Sequence, residues 1–458
     1  MKHNISLLAI FCFSTISAFS QSPDWAWAKS NGGLSLDKGN AVATDAAGNI
    51  YVTGGFHSDS ISFGSATLMN VPGGAAAQFF VAKYDASGNA LWARSAGGLL
   101  PDEGNGIATD NSGNVYVTGY FQSDTIIFGS DTLINAMTDY TSDLFIVKYD
   151  AAGNELWAKR TGGNSYDYGH GIGTDSNGNV YVSGRFMSDS VSFDAVTLVN
   201  HSMISGVTGL DYFITKYDPS GNVVWSQRAG GKGGESGTNL TVDASDNICV
   251  TGTFGSDSVR FGAFTLANTH DSTLNYGNLF VVKYSPSGTV LWAKGDGGAF
   301  SEEANGIKTD AAGNVFVSGR FYSKNFMIGA SSLVNADTTG TYYDIFVAKY
   351  SPAGNQLWAK AAGGTDFDEA MSVTTDSYGN VYIAGYYYSL SCSFGTATLT
   401  NSGSAFTPNI FLAKYDASGN LVYAYTPGGS SVDEAHGLTT DAWDNIYLTG
   451  LYRSTNTI

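Results

Sequence analysis

Hydrophobic residues along this chain fall in short runs. One consecutive set is "GIATD", "NVYVTG", "FIVKYD" and "ELWAKR", each rich in β-branched and aromatic residues and each followed by polar or glycine positions. Runs of that length and composition predict β-strands, and no segment carries the 3.6-residue period of an amphipathic helix. A "DxxGN" stretch separates the first run from the second and the third from the fourth. Its Asp accepts hydrogen bonds from turn amides and its Gly-Asn pair supplies positive φ, so both junctions are expected to be tight hairpin turns.

The set repeats. "TDAAGNIYVTGGF" and its close copies occur seven times, and Trp27, Trp92, Trp157, Trp225, Trp292, Trp358 and Tyr423 recur every 65 to 68 residues. From each of these aromatics to the Asp of the "TD" phrase is always 18 residues, and from that Asp to the Gly closing "YVTG" is always 9. The Lys of "FVAKYD" (Lys83, Lys148, Lys216, Lys283, Lys349, Lys414) lies 9 residues before the next aromatic. Each unit therefore supplies four strands, here named A to D. A lone four-stranded sheet of this size cannot bury both faces, so the units must stack. A ring of such sheets is an all-β, seven-bladed β-propeller of four-stranded antiparallel blades. Residues 21–458 form it, as seven repeats of about 66 residues. The N-terminal strand "DWAWAKS" is expected to close the last blade, and that blade is expected to be incomplete, because Ile458 comes before a strand C is due.

The first twenty residues have a basic start, an apolar run and small residues at Ala18 and Ser20, the pattern of a signal peptide cleaved near Gln21. The run is too short to span a bilayer, and no later stretch approaches the ~20 apolar residues that spanning needs. The expected location is secreted, extracellular or at the outer cell surface. The formal net charge is −18, and loss of the leader removes one Lys and no acid, leaving 21 basic against 40 acidic residues. Such a balance argues against nucleic acid and anionic membranes as partners. With 58 Gly and only 14% charged residues, the composition is that of a turn-rich β protein. Cys249 and Cys392 replace bulky strand residues in two different repeats and are expected to be free and buried.

These phrases resemble the SBBP repeat, a seven-bladed β-propeller repeat of secreted bacterial proteins. Its pattern runs "GG…DEGxGIAxDxxGNxYVTG" and then "FVAKxDxxGxxxW". The resemblance extends over essentially the whole mature chain and implies the fold and an exported location. Proteins of this type often carry a C-terminal sorting domain. None is seen before Ile458, which fits one of two readings of the short last blade: either the sequence is truncated or that blade is short of a strand.

Candidate chemistry concentrates on one face. The A–B and C–D turns share one side of the disc, whereas the B–C and D–A connections share the other and hold the length variation, including inserts such as "HSDSISFGSATLMN" with Phe63, Phe128, Phe193 and Phe261 packed inward. A carboxylate stands 10 residues after each repeat aromatic: Asp37, Asp102, Asp167, Glu235, Glu302, Asp368 and Asp433. These seven are expected to ring the mouth of the central channel, either accepting hydrogen bonds from loop amides or capturing Ca²⁺, the one cofactor to be considered. Glu103, Glu303, Glu369 and Glu434 add a second acid in four repeats, and Tyr386, Tyr387 and Tyr388 put aromatic rings on the same face. Rings beside acids suit an extracellular glycan or a protein surface. His170 and His436 share one repeat position whose other occupants are Asn, Thr and Met. The chain shows no nucleophile motif, metal-spaced cluster or phosphate loop. A non-enzymatic binding or structural module is therefore expected, and the alternative is a propeller lyase or glycosidase using channel-mouth carboxylates.

Overall fold

The computed structural model describes residues 24–71, 76–138, 140–201, 209–268, 276–403 and 407–454, with the backbone of 7–13. Among the described residues the regular structure is entirely β, and no helix is long and apolar enough to cross a membrane. Six β-propeller blades are each built from one continuous piece of chain, with four antiparallel strands in the order A-B-C-D. The first comprises Asp37–Thr44, Ile50–Phe56, Gln78–Tyr84 and Ala90–Ala96. The fifth comprises Glu302–Thr309, Val315–Phe321, Asp344–Tyr350 and Gln356–Ala362. Strands B and C are buried along almost their whole length because neighbouring blades cover both faces, the sixth residue of strand B being partly exposed in five blades, while strand D alternates and leaves Leu91, Leu156, Val224, Leu291 and Leu357 exposed at the rim.

The expectation of seven such blades is corrected here: six are of this kind. The sheet that closes the ring is a composite of both chain ends, in the order Trp25–Ser30, Leu7–Phe13, Ile446–Tyr452, Asp433–Thr440. Trp25–Ser30 takes the outer place, as its sequence suggested. The third place is not vacant: Leu7–Phe13, from the segment expected to be a leader, pairs with Ile446–Tyr452 on one side and Trp25–Ser30 on the other. A seven-residue apolar run has the length and β-propensity to fill a strand slot flanked by two open edges. The expected cleavage site around Gln21 lies outside the described residues.

The "DxxGN" turns form as expected. In the first, Asp45 Oδ1 accepts from the Ala47 and Asn49 amides, Oδ2 accepts from the Asn49 side chain and the Tyr51 hydroxyl, and Gly48 adopts φ 79°. The recurring Lys joins blades. Lys83 Nζ donates to the Ala151 carbonyl in the next blade's turn, which also accepts from Trp92 Nε1. In the fourth blade Lys283 pairs with Asp243 at 2.7 Å. Cys249 and Cys392 are free and buried.

Each B–C connection contains a two-stranded hairpin, such as Ser60–Phe63 with Ala66–Met69. Phe63, Phe128, Phe193 and Phe261 are buried. The hairpins sit against the outer strands of their own and the preceding blade. The hairpins start at a constant distance after strand B, so the length variation of this connection falls between the hairpin and strand C.

Candidate functional site at the channel mouth

The seven inner strands begin at the sequence-identified carboxylates, and Asp37, Asp102, Asp167, Glu235, Glu302, Asp368 and Asp433 are all fully buried. Asp37 shows why. Its carboxylate accepts from the Gly33 amide at 2.6 Å, the His57 and Ser58 amides at 2.9 and 3.0 Å, and the Ser58 hydroxyl at 2.6 Å. Asp102, Asp167, Asp368 and Asp433 repeat the pattern with Ser123, Ser188, Ser389 and Ser454. Glu235 accepts from Gly231 and Ser256, and Glu302 from Gly298. These groups clamp the D–A loop to the end of strand B, and their oxygens do not converge on the channel. Among the described residues no group of three or more His, Cys, Asp or Glu side chains could hold a metal ion. Burial raises Asp102 and Asp167 to about 6 and Asp368 to about 8 against the lowering effect of their donors.

Of the three consecutive tyrosines, Tyr387 is buried inside its blade with its hydroxyl on Thr426. Tyr386 and Tyr388, two residues apart and so on the same face of strand B's end, stand edge to face with ring centroids 6.0 Å apart. The Tyr386 hydroxyl donates to Glu369 Oε2 at 2.6 Å, and the same oxygen accepts from Arg320 at 2.9 Å. Arg320 also binds Glu303 at 2.6 Å and lies over the Tyr343 ring, 4.6 Å from its centroid. Burial works against the Arg320 charge, but the carboxylates of Glu369 and Glu303 outweigh it and hold the guanidinium more firmly protonated than usual. Tyr322, 5.0 Å from Tyr343, completes a polar and aromatic wall across the fifth and sixth blades.

Beside that wall the fourth blade is bare. The repeat positions of Glu303, Arg320, Tyr322 and Tyr343 are there occupied by Ser236, Thr253, Gly255 and Gly277. A depression of about 190 Å³ results, lined by Gly234, Thr253, Gly255, Gly277, Ser301 and Glu303. One side of an otherwise repetitive face therefore has both a hollow and side chains able to hydrogen-bond and stack.

The shared position of His170 and His436 also has a structural cause. Every A–B pair carries a β-bulge, and the bulged residue is Asn40, Asn105, His170, Thr238, Asn305, Met371 or His436. A bulge re-aims the side chain of the extra residue. Asn40, Asn105 and Asn305 use it to donate to strand A of the next blade, at 3.0 to 3.1 Å. His170 stacks on Tyr168, and burial together with the Arg185 charge lowers it to about 3, so it is neutral. His436 Nε2 lies 3.1 Å from Glu434. Inside the bulge ring a cavity of about 490 Å³ runs along the inner strands. The sequence reading did not single out Arg320, the bulge or the cavity-lining Lys308. Comparing each repeat column residue by residue would have flagged Arg320 and Lys308, whereas a bulge depends on two strands and leaves no mark in one.

The SBBP beta-propeller repeat matches residues 91–120 and 156–185, each stretch running from strand D of one blade through strand B of the next. An uncharacterized WD repeat-containing protein of Acanthamoeba polyphaga mimivirus is 24% identical over 93% of this chain and 36% of its own length. The regulatory protein FlaEY of Caulobacter vibrioides is 28% identical over 65% of this chain and 34% of its own. The chain thus spans about a third of the length of these curated relatives. Among solved structures, the WD40 domain of Neurospora crassa Pan2 is 11% identical, with 92% of this chain and 90% of that one covered and a TM-score of 0.41.

Proposed function

We propose that this chain, which carries SBBP propeller repeats, is an exported binding module of the cell exterior. It is read as a seven-membered ring in which the composite sheet takes the last place, and its ligand, a glycan or a protein surface, docks on the face of the B–C and D–A connections. The observation that carries the reading is the 190 Å³ depression of the fourth blade beside the Glu303–Arg320–Glu369–Tyr386 wall. Hydroxyl-bearing ligands stack on rings and bond to the acids and amides beside them. The alternative, a lyase or glycosidase, needs two carboxyl groups of unlike environment facing one substrate. Glu303 borders the hollow, but Glu369 is taken up by Asn305, Arg320 and Tyr386, and the seven ring acids are sealed.

The test is a glycan array and an outer-surface pulldown with wild type, Thr253→Trp to fill the hollow, and Trp443→Ala on the opposite turn face. Binding weakened tenfold or more by Thr253→Trp and unchanged by Trp443→Ala is the expected outcome. Loss with Trp443→Ala alone would move the site to the turn face. Absence of binding in every format would replace the reading with a structural role.

A further inference from the structure

The central cavity holds one feature that the repeat does not explain. At the seventh position of strand A the repeats carry Ala43, Ala108, Gly173, Thr241, Lys308, Thr374 and Thr439. Six residues are small and uncharged; the fifth blade has a lysine. Lys308 is half-buried and lines the 490 Å³ cavity. No Asp or Glu is among the lining residues, and Lys308 is their only Lys or Arg. Among the described residues no ion pair or hydrogen bond engages its ammonium, in contrast to the Lys83 and Lys283 type, which is held by a carbonyl or a carboxylate.

An ammonium with no protein partner on the wall of a narrow channel offers an anion a charge-assisted hydrogen bond. The surroundings favour one kind of guest. The flanking blades contribute Asn239, Thr241 and Ser372 to the lining, while Ile307, Leu240 and Val373 supply apolar wall. The volume lies within the range of small-molecule sites. There is one fixed positive charge, with no guanidinium fork or second cation to neutralise a dianion. His170, held neutral, adds no charge, and His436, the other histidine of the lining, has its Nε2 turned to the Glu434 carboxylate at 3.1 Å.

We propose that the central cavity binds a hydroxylated monocarboxylate, of the size of a sugar acid, with its carboxylate on Lys308 and its hydroxyls on the Asn, Thr and Ser side chains of the flanking blades. This site is separate from the depression on the loop face and stands whether or not that face binds a ligand.

The probe is D-glucuronate, titrated calorimetrically into wild type, Lys308→Thr and Lys308→Arg, with D-glucose and inorganic phosphate as comparison ligands. Lys308→Thr installs a residue that the same column already holds in other blades, and its folding is checked by thermal unfolding. Glucuronate should bind wild type, weaken about tenfold or more in Lys308→Thr, and be partly retained by Lys308→Arg. Burial lowers the Lys308 pKa, so affinity should fade on the alkaline side at a pH below the ordinary lysine value of 10.5. Failure of glucuronate to bind, equal affinity in Lys308→Thr, or comparable binding of glucose or phosphate would overturn the proposal.

Discussion

At the scale of single residues, the buried acids are the most testable feature. Strand C begins with Gln78, Asn278 or Asn409 in three blades and with Asp143, Asp211 or Asp344 in the other three, next to the ring acid that starts the following blade. Where an acid meets an acid, burial raises both pKa values: Asp344, with a further push from the Asp337 carboxylate, reaches about 7, and Asp368, with a further push from Asp344, about 8. The folded protein then keeps protons that the unfolded chain has released. This contribution is fully present below the unfolded carboxyl value near 3.8 and is lost as pH rises towards 8. Asp211, raised to about 7, has the same sign. Thermal stability should therefore fall between about pH 5 and 8. Asp344→Asn, which copies the amide of the other three blades, should flatten the decline and raise the melting temperature at pH 8 by roughly 1–3 °C. A pH series of calorimetric scans decides it, and an unchanged slope would mean that the pair does not hold the proton. The ring acids were visible in the sequence through their constant spacing. Their sealed state was not, because the donors to Asp37 come from Gly33, His57 and Ser58, which only the folded blade brings together.

At the scale of the strand and turn, a buried ion pair ties the A–B turn of the fourth blade to that blade's own strand C. Lys283 and Asp243 pair at 2.7 Å with almost no exposure of either side chain. Burial would raise Asp243, but hydrogen bonds from Lys283 and Asn247 outweigh it and hold the carboxyl below its usual value. Removing one partner of a buried pair leaves the other charge uncompensated, which costs about 3–5 kcal/mol, whereas replacing both is close to neutral. Lys283→Met should destabilise by roughly 2–4 kcal/mol in urea, since Asp243 keeps its turn donors, and Lys283→Met with Asp243→Asn should recover most of that. Equal losses in the single and double variants would show that the charge left on Asp243 is not what destabilises the single variant. Strands and turns were legible because each is encoded within a few residues: alternation gives the strand, and Asp, Gly and Asn give the turn. The inserted hairpin was legible as a hairpin but not in its place, since its seat between two outer strands depends on how blades stack.

For the whole molecule the question is how the ring stays closed. Inner strands pack side by side around the channel, and threonine hydroxyls link them across the joint, Thr44 to the Thr440 carbonyl at 3.0 Å and Thr440 to the Thr375 carbonyl at 2.8 Å. Farther out, the composite sheet differs from the others. In the register of the first blade Lys83 lies opposite Tyr51 and Trp92, and in the composite sheet Cys12 lies opposite Tyr447 and Trp27. The slot that elsewhere holds a lysine able to reach the turn Asp is thus filled by a strand without one, and among the described residues Asp441 has Asn445 and Tyr447 as its side-chain donors. If residues 1–20 are removed on export, Ile446–Tyr452 loses its neighbour and Trp25–Ser30 loses its attachment. Comparing residues 1–458 with residues 21–458 by amide exchange should show faster exchange in Ile446–Tyr452 for the shorter chain, with the third blade's Val180–Phe186 unchanged. A peptide with the sequence of Asn409–Tyr415, which ends in Lys-Tyr, should restore protection by entering the slot as a strand and giving Asp441 its missing ammonium. The same peptide with Met in place of that Lys should restore less. Equal protection of Ile446–Tyr452 in both chains would mean that the slot closes without Leu7–Phe13, and that the ring is held by its inner strands alone.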